Sequence, residues 1–158
     1  MNTEPKYSYL SKSLEDTRKL GLAIAKNVQT PMLIELSGDL GGGKTALVKE
    51  IARGLGITQT VTSPTFNIHR SYEAKNGKTL EHFDLYRLSD DEIVLNELID
   101  SLNNPSSVVC VEWAQHFLKS PDKNHLTIQC HYINENERRY DFIPHGEKAM
   151  AMVEELAK

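Results

Sequence analysis

Two periodicities partition the chain. Leu14, Leu20, Ala23, Ile24 and Val28 recur at the spacing of one helix face. Ser13 stands before them as an N-cap, with Glu15 and Asp16 in the first turn. The spacing predicts a helix over roughly residues 14–28, broken by Pro31. Tyr7 to Ser11 reads as a short strand ahead of it, after a mobile tail that runs to Lys6. The short apolar run Met32-Leu33-Ile34-Glu35-Leu36 has the look of a strand buried in a parallel sheet. Helical spacing resumes through Leu47, Val48, Ile51, Ala52 and Leu55, with Gly54 and Gly56 marking the end. A polar loop, Thr60 to Phe66, is kinked at Pro64. Phe66, Ile68 and Tyr72 then predict a strand, Asn76-Gly77 a hairpin turn, and Leu80 to Leu85 the return strand. Ser89 caps a short helix carrying Ile93, Leu95, Leu98 and Ile99, which Asn103-Asn104-Pro105 ends. Val108 to Val111 is a second buried strand leading into Glu112-Trp113. Leu126 to Ile133 and Arg138 to Ile143 alternate as a strand pair around Asn134–Asn136, and a last helix covers roughly residues 147–157. The order predicts an α/β fold with flanking helices, a mixed sheet and added antiparallel strands, in one domain over residues 1–158.

Composition narrows the partners. A net charge of -4 gives the whole molecule no pull towards RNA or DNA, so direct nucleic-acid binding would need a local basic patch, and no DNA partner is expected. No run approaches the roughly 18 apolar residues of a membrane span. The polar start, Met1 to Tyr7, lacks a signal-peptide core, so a cytoplasmic protein is expected. Cys110 and Cys130 lie in strand-like runs without metal-ligand spacing, which predicts buried thiols.

The chemistry is concentrated at Gly38-Asp39-Leu40-Gly41-Gly42-Gly43-Lys44-Thr45, a glycine, four residues and then Gly-Lys-Thr, between a short apolar strand and a helix. Glycines remove side chains, so consecutive N–H groups of Gly41, Gly42, Gly43, Lys44, Thr45 and Ala46 can curl around phosphate oxygens. The helix aims its positive end at the same anion. Lys44 is expected to reach the β- and γ-phosphates of ATP, or the β-phosphate of ADP, and Thr45 to offer a hydroxyl to Mg²⁺.

A nucleotide-hydrolysing loop also needs a carboxylate for the metal and a group to orient water. Asp84 and Glu112 both close strand-like runs, where an open α/β sheet gathers its ligands. Glu112 is well placed if its strand runs parallel to the one before the loop, and Asp84 only if its own does too. Which acid holds Mg²⁺ and which orients water stays open. Thr62-Ser63-Pro64-Thr65 has the look of a switch that meets metal or γ-phosphate. The six histidines lack zinc spacing and read as surface or satisfied structural residues. Arg138 and Arg139 could face phosphate or a partner but read first as solvated, and Trp113 could pack under the nucleotide site or present an aromatic anchor but reads first as core packing.

Four motifs together, Gly-Asp-Leu-Gly-Gly-Gly-Lys-Thr at 38–45, Ser-Pro-Thr-Phe at 63–66, His-Phe-Asp-Leu-Tyr-Arg at 82–87 and Val-Glu-Trp at 111–113, resemble the bacterial TsaE (YjeE) ATPase family. The match runs from the first helix to the closing strands. The resemblance implies a part in making threonylcarbamoyladenosine in tRNA, by driving or resetting the TsaD–TsaB complex that transfers the threonylcarbamoyl group. Contact with tRNA would then be indirect. It further implies that Lys44 holds phosphate, that Thr45 and Glu112 serve the metal, and that Asp84 is the acid of the second nucleotide motif. Ser63 to Phe66 would be the switch loop, and Ser11 would lie near the adenine.

Two other readings share the loop. A small-molecule kinase would need an acceptor pocket and usually an arginine-rich lid, and the chain has six arginines with one cluster, Arg138-Arg139. A nucleotide-gated binding module would bind ATP and dock without significant turnover. A GTPase would require the N-K-x-D motif, which the sequence lacks. An ATPase completed by its partner is expected to turn over slowly alone.

Overall fold

A computed structural model describes residues 4–64, 67–86, 92–114 and 124–158. Among them the chain orders as β1 (Tyr7–Ser11), α1 (Leu14–Asn27), β2 (Met32–Gly38), α2 (Lys44–Gly54), β3 (His69–Glu73), β4 (Thr79–Asp84), α3 (Glu92–Asn103), β5 (Ser107–Glu112), β6 (His125–Tyr132), β7 (Arg138–His145) and α4 (Glu147–Leu156). The strands form one sheet in the order β1-β7-β6-β2-β5-β4-β3. β2 lies parallel to β5 and β6, and β5 parallel to β4, while β3, β7 and β1 pair antiparallel at the flanks. The expected α/β architecture with added antiparallel strands is what forms.

Strand parity sorts the core into two layers, because alternate side chains face opposite sides. Ile34, Leu36, Leu80, Val108 and Cys110 join α1, α2 and α4 on one face. Leu33, Phe83, Val109 and Val111 meet α3 on the other. α2 carries Leu47, Val48, Ile51 and Ala52, all at most 1% exposed, into the first layer. Burial of each larger side chain there contributes about 1.5–3 kcal/mol. α1 lies very close to α2. A Cβ on Gly21 would sit 2.4 Å from Glu50 Cβ, and one on Gly54 would sit 2.5 Å from Ala25 Cβ.

Several sequence expectations need correction. Helix α3 buries Val94, Leu98 and Ser101, whereas Ile93, Leu95 and Ile99 are exposed. Of the apolar set read from the sequence, Leu98 is the member that packs on the sheet, joined there by Val94. Ile68 precedes β3 with φ 65°, outside the strand, and Phe66 lies outside the described residues. The tail ends earlier than expected: Lys6 N–H already donates to the Phe142 carbonyl at 2.8 Å, and residues 1–3 lie outside the described residues. Ser89, the expected cap of α3, also lies outside them. Ser13 does cap α1, accepting from Asp16 N–H at 3.1 Å while Asp16 Oδ2 accepts from Lys12 N–H at 2.9 Å. The Asn76-Gly77 hairpin forms with Gly77 at φ 84°. Both cysteines are free and buried, and burial pushes both thiols up. No helix among the described residues is long and apolar enough to cross a membrane.

Candidate functional site

The phosphate loop joins the C-terminal end of β2 to the first turn of α2, and its glycines are forced by close contacts. Gly38 has φ 113°, and a Cβ there would lie 2.1 Å from the Cys130 carbonyl oxygen. Gly42 has the same neighbour at 2.7 Å, and Gly43, at φ 92°, would meet the Tyr140 hydroxyl at 2.4 Å. Gly41 is open to solvent by comparison, with φ 74° as its constraint. Gly43 caps α2 without a side-chain hydrogen bond. The backbone donors of Lys44, Thr45 and Ala46 therefore face the cleft without a capping side chain, as anion binding at a helix start requires.

Lys44 is buried at 6% exposure. Its Nζ donates to the Asp39 carbonyl at 2.6 Å and the Gly38 carbonyl at 3.3 Å, and lies 4.4 Å from the centre of the Trp113 ring. Thr45 Oγ1 donates to Glu112 Oε1 at 3.0 Å. The condition set on the two acids is met. β5 runs parallel to β2 and β4 parallel to β5, with Asp84 opposite Glu112 in register. Their parity is that of Leu80 and Cys110, so both carboxylates point to the face that carries α2. Both are buried, at 8% and 3% exposure. Asp84 Oδ1 accepts from Tyr86 N–H at 3.1 Å, and Leu85 N–H donates to the Glu112 carbonyl at 3.0 Å, locking the two strand ends together.

A cleft of about 430 Å³ is lined by the loop from Leu40 to Ala46 with Ser63, Asp84, Tyr86, Glu112 and Trp113. Ser63, from the expected switch, thus faces the acids, while Thr65 and Phe66 lie outside the described residues. A second cleft of about 740 Å³ shares Gly43 and Ala46 with the first and continues past Ser11, Thr17, Arg138 and Tyr140. Ser11 lines this second cleft, but its hydroxyl is engaged within the protein, donating to the Ser13 carbonyl at 2.9 Å and lying 2.7 Å from Thr17 Oγ1. The two adjoining volumes suit an elongated ligand.

The chemistry of the first cleft suits a hard divalent cation. A hydroxyl and two carboxylates converge, all oxygen donors. Among the described residues no three His, Cys, Asp or Glu side chains form a metal cage. Mg²⁺ held jointly by protein and phosphate needs no such cage.

Three residues differ from their sequence reading. Trp113 is half-buried rather than core, and takes its alternative reading beside the cleft. It lines the cleft at φ 63°, a left-handed conformation costly for a bulky residue, and packs 4.9 Å from Tyr86. Arg138 is not merely solvated. Its Nε donates to the Gly41 carbonyl at 2.7 Å, and its guanidinium lies 4.6 Å from the Tyr132 ring, so β7 braces the loop. Tyr140 adds a hydroxyl donated to the Gly43 carbonyl at 3.3 Å, and burial pushes its pKa up to about 12, so it stays a donor. His82 is neither surface nor satisfied. It is fully buried, with Nε2 2.9 Å from Glu112 Oε1 and Nδ1 without a hydrogen-bond partner among the described residues. Alternation did place His82 two residues before Asp84 on the same face, the one signal that pointed to it.

Known proteins are similar to this chain over most of their length. The family model described as threonylcarbamoyl adenosine biosynthesis protein TsaE matches residues 11–140. The tRNA threonylcarbamoyladenosine biosynthesis protein TsaE of Bacillus subtilis is 33% identical over 144 residues, covering 91% of this chain and 89% of that protein. Its counterpart from Nostoc is 32% identical over 133 residues, with 82% and 81% covered. The crystal structure of YdiB from Bacillus subtilis superposes with a TM-score of 0.76 at 29% identity, over 95% of this chain and 93% of that one. With the family model spanning both the loop and the two acids, the chain belongs to the TsaE family.

Proposed function

We propose that this chain is a Mg²⁺-dependent ATPase that serves threonylcarbamoyladenosine formation in tRNA by driving or resetting the TsaD–TsaB complex. Membership of the TsaE family carries the role in threonylcarbamoyladenosine biosynthesis. The nucleotide chemistry rests on one observation above the others: Thr45 Oγ1 bonded to Glu112 at 3.0 Å, with Asp84 in register beside it, at the mouth of a glycine loop.

In this reading the nucleoside lies in the cleft past Ser11, Arg138 and Tyr140, and the phosphates follow the loop into the cleft of the acids. Backbone donors from Gly41 to Ala46 hold phosphate oxygens. Lys44 leaves the carbonyls of Gly38 and Asp39 for the β- and γ-phosphates, an exchange of neutral for charged acceptors that strengthens its hydrogen bonds. Thr45, Asp84 and Glu112 are the residues that would hold Mg²⁺, which when bound neutralises charge developing on the transferred phosphoryl group. Of the two acids, the one that holds the metal less directly would also orient the attacking water. Tyr86 and Trp113 line one side of the cleft, where a docked partner would exclude solvent.

A gated module without turnover shares these contacts. The two separate in a reconstituted modification assay with repeated rounds. ATP should support many rounds and a non-hydrolysable analogue at most one; equal yields with both would exclude the hydrolytic role.

A further inference from the structure

We infer that His82 is a positioning residue that fixes the rotamer and the free oxygen of Glu112, so that Glu112 Oε2 alone remains for the metal shell. The inference rests on the nucleotide-site reading above for what Glu112 does, and on the geometry below for how it is held.

Glu112 Oε1 accepts from Thr45 Oγ1 at 3.0 Å and lies 2.9 Å from His82 Nε2, and a carboxylate offers that nitrogen only an acceptor. Nε2 must therefore carry the proton. Nδ1 is buried with no hydrogen-bond partner among the described residues, so it does not compete for that proton. The ring is set by its strand. His82 pairs with Cys110 in the β4–β5 register, two positions before Asp84 and Glu112, and projects to the same face. With 0% exposure the imidazole has no room to swing away, and a desolvated hydrogen bond to a carboxylate is strong. A metal would take a lone pair of the Thr45 hydroxyl and leave its O–H donating to Oε1, so Thr45 and His82 together would hold Oε1 and leave Oε2 for the metal. Outer partners of this kind commonly change metal affinity by about 10- to 100-fold when removed.

The test uses the full chain and two readouts. First, ¹⁵N-histidine spectra of the nucleotide-free protein should show His82 with its proton on Nε2; a proton on Nδ1 overturns the inference. Second, binding of a non-hydrolysable ATP analogue is titrated with and without Mg²⁺. His82→Leu should lose the Mg²⁺-dependent gain in affinity by about tenfold or more, while His82→Gln, whose amide can donate from near the Nε2 position, keeps most of it. Affinity without Mg²⁺ should be unchanged in both. A folded His82→Leu with the full Mg²⁺ gain, or a Gln variant as impaired as Leu, would contradict a positioning role. Should the leucine variant fail to fold, the spectra and the glutamine variant still decide. A wild-type protein that binds no nucleotide would defeat the ATPase reading, while the proton position on His82 is read independently of it.

Discussion

At the scale of single residues, the cleft depends on atoms with no room to change. Lys44→Ala removes the cation expected on the phosphates, and should weaken ATP binding at least tenfold by titration calorimetry; undiminished affinity would count against the phosphate-loop reading. Gly43→Ala combines a left-handed backbone, which costs a non-glycine residue about 1–2 kcal/mol, with a Cβ 2.4 Å from the Tyr140 hydroxyl. It should depress nucleotide affinity strongly, and Tyr140→Phe in the same chain should recover part of the loss by removing the clashing oxygen. No recovery would place the whole defect in the backbone. The loop, Thr45, Asp84 and Glu112 were legible in the sequence because their chemistry is local and each follows a strand. Arg138 was not, since its bond to Gly41 spans 97 residues of sequence. Nor was the left-handed backbone of Trp113, which no periodicity encodes.

At the scale of elements, α1 and α2 touch through glycines, and α3 is tied to the sheet by charge. Gly21→Ala would gain about 1 kcal/mol in helix propensity but drive a Cβ to 2.4 Å from Glu50 Cβ. Overpacking of about 1–3 kcal/mol should win, lowering the urea midpoint at unchanged slope. The tie of α3 runs through His69, whose Nε2 lies 2.7 Å from Glu81 and Nδ1 3.3 Å from Glu97 of α3, with its ring stacked 4.0 Å over Phe83. Both ring nitrogens face carboxylates, an arrangement suited to the imidazolium. Burial alone lowers the pKa of His69, but hydrogen bonds and charge from Glu81 and Glu97 outweigh it and the net shift is upward. A raised folded pKa means stability that is complete below the unfolded value near about 6.5 and lost as pH rises through the folded one. Unfolding measured across that window should show this loss in the wild type and a flatter profile in His69→Gln. A wild-type profile as flat as the variant's would remove the charged tie. The helix spans themselves were readable from the sequence to within a residue or two. The buried face of α3 was not, because Val94 and Leu98 meet the sheet while the equally apolar Ile93, Leu95 and Ile99 stay exposed.

At the scale of the molecule, the parallel run β6-β2-β5-β4 brings the phosphate loop and both acids to one end of the sheet. The antiparallel β7 then returns beside β6 to brace the loop through Arg138 and Tyr140. Fold class followed from the order of elements, but the register that sets Asp84 opposite Glu112 and His82 beneath them needed the folded chain. The central claim is that this end of the sheet hydrolyses ATP in the service of a partner. Its most direct test is steady-state ATP hydrolysis with Mg²⁺, alone and with the TsaD–TsaB pair, for wild type and Glu112→Ala. The account predicts slow turnover alone, strong stimulation by the pair, and loss of both in a Glu112→Ala protein that folds normally. Nucleotide bound but never hydrolysed, with or without the pair, would contradict it.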